Sequence, residues 1–361
     1  MAIDSGLVVL TGGGTAGHVN PNLALVPALR SRGWQVAYIG SGQGIEAELV
    51  SKAGIPFYGI SAGKLRRYWS WQNFVDPFKV LKGISDAYGL LGKLKPQVIF
   101  SKGGFVTVPV LWSGWLRGIP TIIHESDLTP GLANRLSLPF ASKVCVSFPQ
   151  TLNYLGRWGH KAVCTGLPIR AEILGGGADR GRAIFGFSND RPVLLVVGGS
   201  TGSVAINRAV RAILPQLRQQ FQILHLCGRG NQDSSLNYPD YQQREYVTTE
   251  LGDALAMADI VVSRAGANAI FELLALQKPH LLIPLPAQSS RGDQILNAQA
   301  FAELGYSMVL LEAYLTPDAL LQHIQLLYTS RHKYTEKMQT NVTVPNRSIE
   351  QITDIMAAFM G

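Results

Sequence analysis

The sequence predicts two doubly wound α/β domains, each built around a parallel sheet. Two apolar runs, at 7–10 and 193–197, each lead into a glycine-rich turn (TGGGTAGH and GGSTGS) and then into a helical pattern. Short continuous apolar runs are typical of parallel strands buried on both faces, and their alternation with helices favours the doubly wound arrangement. The chain has 361 residues, more than a single hydrophobic core usually serves.

Further buried strands are predicted from apolar runs of the same kind. They lie at 34–39, 98–100, 121–123 and 144–147 in the first half, and at 222–226, 260–263 and 280–284 in the second. A link rich in Gly and Pro at 165–168 predicts domains at residues 1–165 and 166–345. Residues 346–361 are predicted to form a helix that packs back on the first domain, beginning at a capping box of Ser348 and Gln351.

Positive charge is concentrated in the first half of the chain. The net charge is +8, and residues 1–165 carry 16 Lys and Arg against 7 Asp and Glu, whereas residues 166–361 carry 16 against 17. This asymmetry points to an anionic partner of the first domain: a membrane, a phosphorylated substrate or nucleic acid. Nucleic acid is disfavoured because no RNA- or DNA-binding motif accompanies the charge.

Any membrane contact is expected to be peripheral. The start, MAIDSGLVVLTGGG, does not read as a signal peptide, and no stretch approaches the ~18–20 apolar residues of a spanning helix. Within the basic, aromatic stretch at 64–95, Asp76 and Pro77 are predicted to begin a helix. The residues predicted to rest on an anionic bilayer are Lys64, Arg66, Arg67, Trp69 and Trp71.

The glycine turns do not match the common cofactor motifs. A glycine turn between strand and helix lets the backbone approach a ligand and aims helix N–H groups at negative charge. A dinucleotide site also wants an acid at the end of the second strand, but none occurs at 38–42 or 226–229. Neither a Walker sequence nor a DxD pair occurs, and the three cysteines form no CxxC pair. We therefore expect no cofactor and no metal ion.

Polar residues at predicted strand ends in the first domain are candidates for chemistry, because ligands bind beyond the carboxyl ends of parallel strands. His18 follows the first glycine turn, and His124 and Glu125 end a strand. Each of these three residues is a candidate general base, and the sequence does not decide among them. Asn134 is predicted to hydrogen-bond an acceptor, whereas His225, on an apolar strand, is predicted to be a buried structural histidine.

The second domain carries a cluster suited to a nucleotide sugar. The segment SRAGANAIFELL puts small residues at a helix start, and Glu272 follows about one and a half turns into that helix, where it is predicted to hold ribose hydroxyls. The polar segment SSRGDQILN offers groups that hydrogen-bond sugar hydroxyls.

Taken together, these motifs resemble those of the MurG family of glycosyltransferases. The matching segments, in order, are GGGTAGHVNPNLAL, SAGKLRRY, SKGGFVTVPV, HESDLTPGLANRL, VVGGSTGS, SRAGANAIFELL and SRGDQILNA. The resemblance implies a GT-B fold, with two Rossmann-like domains facing a cleft. It also implies an inverting transfer of N-acetylglucosamine from UDP-N-acetylglucosamine to the 4-hydroxyl of undecaprenyl-diphospho-N-acetylmuramoyl-peptide, at the cytoplasmic face of the plasma membrane.

The resemblance implies donor contacts as well. By motif position these are Thr15, Ala16, Gly17, Asp127, Arg170, Ser200, Ala267, Glu272 and Gln294. Ser200 is implied near the diphosphate, Glu272 at the nucleotide and Gln294 at the sugar. The chain departs from the family pattern with Ala16 in place of a common Gly, Phe105 in place of a frequent Tyr, and Asp127 where many members have Asn.

Two alternatives remain open from the sequence. One is another GT-B enzyme, such as a glycolipid synthase or a UDP-sugar 2-epimerase. The other is a non-catalytic module that binds a nucleotide sugar or a membrane, which the presence of His18, Glu125, Glu272 and Gln294 argues against.

Overall fold

The chain folds into two compact units. The computed structural model describes residues 6–42, 44–62, 72–199, 201–340 and 343–360. Unit 1 comprises Met1–Arg170 with Val344–Gly361, and unit 2 comprises Ala171–Thr343. The boundaries predicted from the sequence were 165/166 and 345/346.

The described part of unit 1 is built on one parallel sheet with the strand order β3-β2-β1-β4-β5-β6-β7. Its strands are β1 (Leu7–Thr11), β2 (Gln35–Ser41), β3 (Phe57–Ile60), β4 (Val98–Ser101), β5 (Thr121–Glu125), β6 (Lys143–Val146) and β7 (Ala162–Cys164). Its helices are α1 (Ala16–Ser31), α2 (Ile45–Lys52), α3 (Gln72–Leu94), α4 (Thr107–Leu116) and α5 (Leu132–Ser137), with 3₁₀ turns at Leu138–Phe140, Pro149–Tyr154 and Gly156–Lys161.

The described part of unit 2 repeats this plan with the strand order β10-β9-β8-β11-β12-β13, again all parallel. Its strands are β8 (Val193–Val197), β9 (Gln222–Leu226), β10 (Tyr241–Arg244), β11 (Ile260–Ser263), β12 (His280–Leu282) and β13 (Ser307–Val309). Its helices are α6 (Ala171–Leu174), α7 (Ala178–Phe185), α8 (Val204–Ala212), α9 (Leu214–Gln220), α10 (Leu251–Met257), α11 (Ala267–Ala275), α12 (Asp293–Glu303), α13 (Pro317–Thr329) and α14 (Arg331–Gln339), with a 3₁₀ turn at Glu312–Tyr314.

Each sheet is covered on both faces, which confirms the predicted doubly wound arrangement. In unit 1, alternate residues of the same strand enter opposite cores: Val8 and Leu10 pack in one, and Val9 in the other. A central strand of this kind has no solvent face, so it reads as a continuous apolar run. In both sheets the strand order reverses next to the first strand of the unit, between β1 and β4 and between β8 and β11. Such a switch point leaves a crevice at the carboxyl ends of the strands.

The final helix, α15 (Thr343–Ala357), packs on unit 1. Ile352 and Met356 are fully buried in the same core as β1, and Arg32 pairs with Asp354 at 2.5 Å. The predicted capping box is wrong, because Ser348 lies inside this helix and is completely buried. The helix begins five residues earlier, at Thr343, so the Ser348 hydroxyl does not lie at its start.

The prediction that Asp76 and Pro77 begin a helix is wrong, since α3 starts at Gln72 and contains both.

In the described part of the chain, no helix has the length and apolar character needed to cross a bilayer.

Candidate functional site

In unit 1 the first glycine turn, residues 12–14, follows β1 at the switch point. Two buried side chains hold it: Tyr38 donates its hydroxyl hydrogen to the Gly12 carbonyl at 2.8 Å, and Asn22 donates to the Thr11 carbonyl at 3.0 Å. Burial raises the pKa of Tyr38, so its hydroxyl stays protonated and remains a donor. Gly14 has φ of +89°, a conformation that side-chain-bearing residues rarely adopt.

The four predicted residues of this turn lie at the start of α1. Thr15 is the N-cap and is exposed, while Ala16, Gly17 and His18 are half-buried in the first turn of the helix. His18 Nδ1 lies 2.9 Å from the Gly13 carbonyl oxygen and 3.3 Å from Thr15 Oγ1. A carbonyl oxygen can only accept, so Nδ1 carries the hydrogen and Nε2 of the neutral ring carries the lone pair.

A second glycine turn, after β4, meets the first turn backbone to backbone. The Gly13 amide donates to the Gly103 carbonyl at 3.3 Å, and a Cβ atom on Gly104 would lie only 2.3 Å from the Gly13 carbonyl oxygen. Gly103 and Gly104 also have φ of +93° and +94°. This contact therefore admits only glycine at position 104, and it aligns the starts of α1 and α4 at one edge of the sheet.

His124 is the penultimate residue of β5, next to this edge, and is completely buried. Its Nε2 donates to the Gly166 carbonyl at 2.8 Å, and its Nδ1 lies 2.7 Å from the ammonium nitrogen of Lys102. Burial, together with the charge on Lys102, lowers the pKa of His124 well below its ordinary range. The ring is thus neutral, and both nitrogens are engaged within the protein.

Glu125 is 5% exposed and organises the loop that follows β5. Its carboxylate accepts hydrogen bonds from the backbone amides of Asp127 and Gly131, at 3.0 and 2.9 Å, and from Asn134 Nδ2 at 2.8 Å. Asn134 also donates to the His124 carbonyl at 3.3 Å, and its buried Oδ1 has no hydrogen-bond partner among the residues that the structure describes. The structure therefore brings His124, Glu125, Asp127 and Asn134 together in one cluster.

In unit 2 the glycine turn after β8 is packed as closely as its counterpart in unit 1. A Cβ atom on Gly202 would lie 2.0 Å from the Cys227 carbonyl oxygen, and one on Gly228 would lie 2.3 Å from the Thr201 carbonyl oxygen. Ser203 caps α8 by accepting a hydrogen bond from the Ile206 amide at 3.3 Å. The predicted diphosphate contact, Ser200, falls in this turn but lies outside the described residues.

A buried arginine holds that turn in place. Arg264, which follows β11, is 9% exposed and donates to Ser203 Oγ at 2.6 Å and to the Ile283 carbonyl at 3.0 Å. It also contacts the Glu312 carboxylate at 2.5 Å. The guanidinium thus joins the loops that follow β8, β11, β12 and β13, which gives it a scaffolding position beneath the carboxyl edge.

Two of the predicted donor contacts lie at neighbouring helix starts. Ala267 is the first residue of α11, and Gln294 is the second residue of α12, where its Oε1 accepts from the Leu285 amide at 3.0 Å. A Cβ atom on Gly266 would lie 3.9 Å from Gln294 Nε2, so the two segments adjoin. Glu272 is half-buried in the second turn of α11, and Arg170 is half-buried in the link between β7 and α6.

The prediction for His225 is confirmed. It is fully buried between Tyr241 Oη and Asn207 Oδ1, both at 2.9 Å, and burial lowers its pKa to about 3. It is therefore a neutral structural residue under ordinary conditions.

Three charged residues that are buried at these edges in the described structure were not predicted from the sequence: Glu46, Lys102 and Arg264. Lys102 and Arg264 each directly follow a buried strand, with a glycine one residue later at Gly103 and two residues later at Gly266. This position marks the carboxyl edge and was a usable signal. Glu46 looks like an ordinary acid in the first turn of a helix, yet its carboxylate is buried beneath Gly13 and accepts from the Ser41 amide at 3.0 Å. No pattern in the sequence distinguishes it from a solvated helix acid.

Across the described ranges, no group of three or more His, Cys, Asp or Glu residues is arranged to hold a metal ion.

Comparison with known families agrees with this architecture unit by unit. Residues 8–146 match the glycosyltransferase family 28 N-terminal domain, and residues 193–356 match the glycosyltransferase family 28 C-terminal domain. Each match falls on one of the two parallel sheets with its glycine turns. The two units thus have the α/β folds of a GT-B glycosyltransferase.

Two curated relatives have the same name, UDP-N-acetylglucosamine–N-acetylmuramyl-(pentapeptide) pyrophosphoryl-undecaprenol N-acetylglucosamine transferase. The one from Lachnospira eligens is 56% identical over 92% of this chain and 94% of the relative, and the one from Geobacillus thermodenitrificans is 54% identical over 92% and 93%. The crystal structure of Acinetobacter baumannii MurG is similar with a TM-score of 0.73 and 25% identity, covering 98% of this chain and 99% of that one. The chain belongs to glycosyltransferase family 28 and, within it, to the MurG family of N-acetylglucosaminyltransferases.

Proposed function

We propose that this enzyme transfers N-acetylglucosamine from UDP-N-acetylglucosamine to the 4-hydroxyl of undecaprenyl-diphospho-N-acetylmuramoyl-peptide, a step of peptidoglycan synthesis. The observation that carries the proposal is the identity of 54–56% with transferases named for this reaction, over more than nine-tenths of the chain. The carboxyl edges of both sheets add support, because each has the closely packed glycine turns that suit phosphate-bearing ligands.

The donor is assigned to unit 2. The starts of α8 and α11 direct backbone N–H groups beyond the sheet, where they stabilise the negative charge of a leaving diphosphate. We assign Ser200 to the diphosphate, Ala267 and Glu272 to the nucleoside, and Gln294 to the sugar. Arg170 is assigned as a further donor contact, and Thr15, Ala16, Gly17 and Asp127 as contacts from unit 1.

The acceptor is assigned to the carboxyl edge of unit 1, with His18 as the general base. His124 and Glu125 are the other candidates, but they are 0% and 5% exposed and their polar atoms bind neighbouring protein groups. His18 is half-buried at the glycine turn, and its Nδ1–H is directed at Gly13, so its Nε2 lone pair is the basic site.

The reaction then balances without a covalent intermediate. The acceptor 4-hydroxyl oxygen bonds to the anomeric carbon of N-acetylglucosamine while the bond from that carbon to the UDP oxygen breaks. The hydroxyl proton passes to His18 Nε2, and UDP leaves with the electron pair. In this scheme Glu125 holds the loop after β5. We assign Asn134, which is also 5% exposed and donates to the Glu125 carboxylate, to the support of the same loop on the acceptor side.

We assign membrane contact to unit 1 and place the enzyme peripherally at the cytoplasmic face of the plasma membrane. The sequence-predicted contact residues Lys64, Arg66, Arg67, Trp69 and Trp71 lie outside the described residues. Helix α3 follows that segment in the sequence and packs against α4, which also packs against α5. These helices expose several large apolar side chains. They are Leu81, Tyr88, Trp115, Leu116, Leu132 and Leu136, each between 39% and 64% exposed.

Exposed basic residues lie on the same helices as these apolar side chains or at their ends. Arg117 stacks on the Tyr88 ring, with its guanidinium carbon 3.8 Å from the ring centroid, and Lys82, Lys93, Lys95 and Arg135 are exposed on the same helices or at their ends. Exposed apolar groups with a cationic border suit an anionic bilayer, which takes up the apolar groups and attracts the cations.

Purified enzyme with UDP-N-acetylglucosamine and an undecaprenyl-linked muramoyl-peptide should release UDP and form the lipid-linked disaccharide. EDTA should leave the rate unchanged, because helix N-termini rather than a carboxylate-held cation are expected to stabilise the diphosphate. Product analysis by mass spectrometry checks both points. Epimerisation of the donor without acceptor would instead support the UDP-sugar 2-epimerase alternative.

His18→Gln should lower kcat by ~10²–10⁴-fold, the usual contribution of a general base. Gln can keep a hydrogen bond to the Gly13 carbonyl but cannot take up the proton. UDP affinity, measured by calorimetry, should stay at the parent value and serves as the control for folding. A kcat close to that of the parent would remove His18 from the role of base.

Glu272→Ala should weaken UDP binding by ~1–3 kcal/mol, because two hydrogen bonds to ribose hydroxyls are lost. Glu303→Ala is the matched control, since this glutamate is exposed near the end of α12. Calorimetric titration with UDP measures both variants. If both bind UDP as the parent does, Glu272 is a solvated helix acid.

Trp115→Ala combined with Leu116→Ala should lower the partition coefficient onto anionic vesicles roughly tenfold or more, about 1.4 kcal/mol. Tyr314→Ala with Leu326→Ala, two apolar residues of unit 2 that are 69% and 58% exposed, should leave it unchanged. Vesicle sedimentation measures binding, with UDP affinity as the control for folding.

Replacing Lys64, Arg66 and Arg67 together by Ala should also weaken vesicle binding and leave a shallower dependence on salt, because fewer screened charges remain. Vesicle binding that survives both sets of changes would place the membrane contact elsewhere.

A further inference from the structure

Lys102 is a buried lysine beneath the carboxyl edge of unit 1. It directly follows β4 and is only 1% exposed, and its backbone amide donates to the Thr11 carbonyl at 2.9 Å. Its ammonium binds His124 Nδ1 at 2.7 Å and the hydroxyl of Ser126. Neither partner carries a negative charge, so this lysine is held by neutral groups.

The contacts of Lys102 connect three segments of the chain. Lys102 contacts Nδ1 of His124 near the end of β5. The other ring nitrogen of His124 donates to the Gly166 carbonyl, which follows β7. Through Ser126 the lysine holds residues 126–131, here named the acceptor-edge loop. Glu125 fixes that loop from within, by its bonds to the amides of Asp127 and Gly131, whereas Lys102 fixes it from the neighbouring strand.

Stability alone does not account for a lysine at this position. Burial lowers the pKa of Lys102 to about 7, although Glu125, Asp127 and Cys145 act in the opposite direction. The His124 ring that its ammonium contacts is neutral. A methionine has similar length and volume and carries no such electrostatic cost. A charged group whose burial costs free energy, and which lies beneath a ligand-binding edge, is characteristic of a functional position.

We propose that Lys102 is a positioning residue for the acceptor: it holds the acceptor-edge loop and supplies the buried positive charge that faces the acceptor diphosphate. This inference rests on the proposed function, which assigns an anionic lipid-linked acceptor to this edge. Lys102 is too buried to touch the substrate, so it acts through the loop and through its charge. Because a bound anion favours the charged form of the lysine, acceptor binding and protonation of Lys102 favour each other.

The sign of the pH dependence follows from this linkage. Below about pH 7 the ammonium is charged in the free enzyme, and the acceptor binds best. As the pH rises through that value the charge is lost unless the acceptor supplies the energy to restore it, so the KM for the acceptor should rise. UDP, whose diphosphate and nucleoside are assigned to unit 2, should bind with no such dependence.

The kinetic test compares Lys102→Met with Lys52→Met, which makes the same change at a lysine whose side chain is 71% exposed on α2. At about pH 6.5, Lys102→Met should raise the acceptor KM roughly tenfold, and the gap to the parent should narrow towards about pH 9, where the parent also loses the charge. UDP affinity of both variants, and acceptor KM of Lys52→Met, should match the parent.

A stability measurement shows separately that the charge is buried. The pKa of Lys102 is lower in the folded enzyme than in the unfolded chain, so the unfolded chain binds more protons between about pH 7 and about pH 10. The denaturation midpoint of the parent should therefore rise relative to that of Lys102→Met as the pH increases through this range. An equal pH dependence for the two proteins would contradict the proposal.

The outcomes separate this inference from the proposed function. A parent enzyme that transfers no sugar to the lipid-linked acceptor would overturn the proposed function. A parent enzyme that is active, together with a Lys102→Met variant of parental acceptor KM and pH profile, would overturn the role of Lys102 alone.

If Lys102→Met does not fold, Ser126→Ala decides the question. It removes one contact of the ammonium and keeps the lysine, and it should raise the acceptor KM several-fold with parental UDP affinity. A parental acceptor KM in a folded Ser126→Ala enzyme would then count against the proposal.

Discussion

At the carboxyl edge of each sheet, backbone turns approach each other so closely that they fix the positions of the loops and of the helices that follow. Gly104 meets the carbonyl of Gly13 in unit 1, and Gly202 meets the carbonyl of Cys227 in unit 2, at separations that leave no room for a Cβ atom. Both contacts join the loop after the first strand of a unit to a loop across its sheet edge. They set where the following helices begin, and therefore where backbone N–H groups are available to a phosphate-bearing ligand.

Glycine turns have little rigidity of their own, so buried polar side chains hold them. In unit 1 Tyr38 and Asn22 bind the carbonyls of the first turn, and in unit 2 Arg264 binds Ser203 at the end of the corresponding turn. Burying polar groups is costly unless they are hydrogen-bonded, and each of these side chains donates a hydrogen bond to its turn. The two units thus use different residues for the same purpose, which is to make a flexible glycine segment adopt one conformation.

The distribution of charge matches the proposed assignment of the acceptor to unit 1 and of the nucleotide sugar to unit 2. Unit 1 contains most of the excess positive charge, the exposed apolar side chains of α3, α4 and α5, and the cluster around Glu125. Unit 2 is nearly neutral and carries the helix starts assigned to the nucleotide sugar. In the proposed function, the soluble donor needs only local dipoles and hydrogen bonds, whereas the lipid-linked acceptor favours a basic surface on the unit assigned to the anionic bilayer.

The sequence by itself determined the central architecture and the edges where chemistry occurs, and tertiary packing decided the rest. The nine strands predicted from apolar runs are the interior strands of both sheets, because a strand buried on both faces must be apolar throughout. The two glycine turns were predicted with them. The four strands that were missed, β3, β7, β10 and β13, are the outer strands, which are short or partly exposed and so lack that signature. Likewise, the sequence indicated His18, His124 and Glu125 as equal candidates for the general base. It shows the type of each residue and its place near the end of a strand, but not its contacts. Only the folded chain shows that His124 and Glu125 are buried and bound to their neighbours, and that Lys102 lies beneath them, since hydrogen bonds between strands far apart in sequence leave no local pattern.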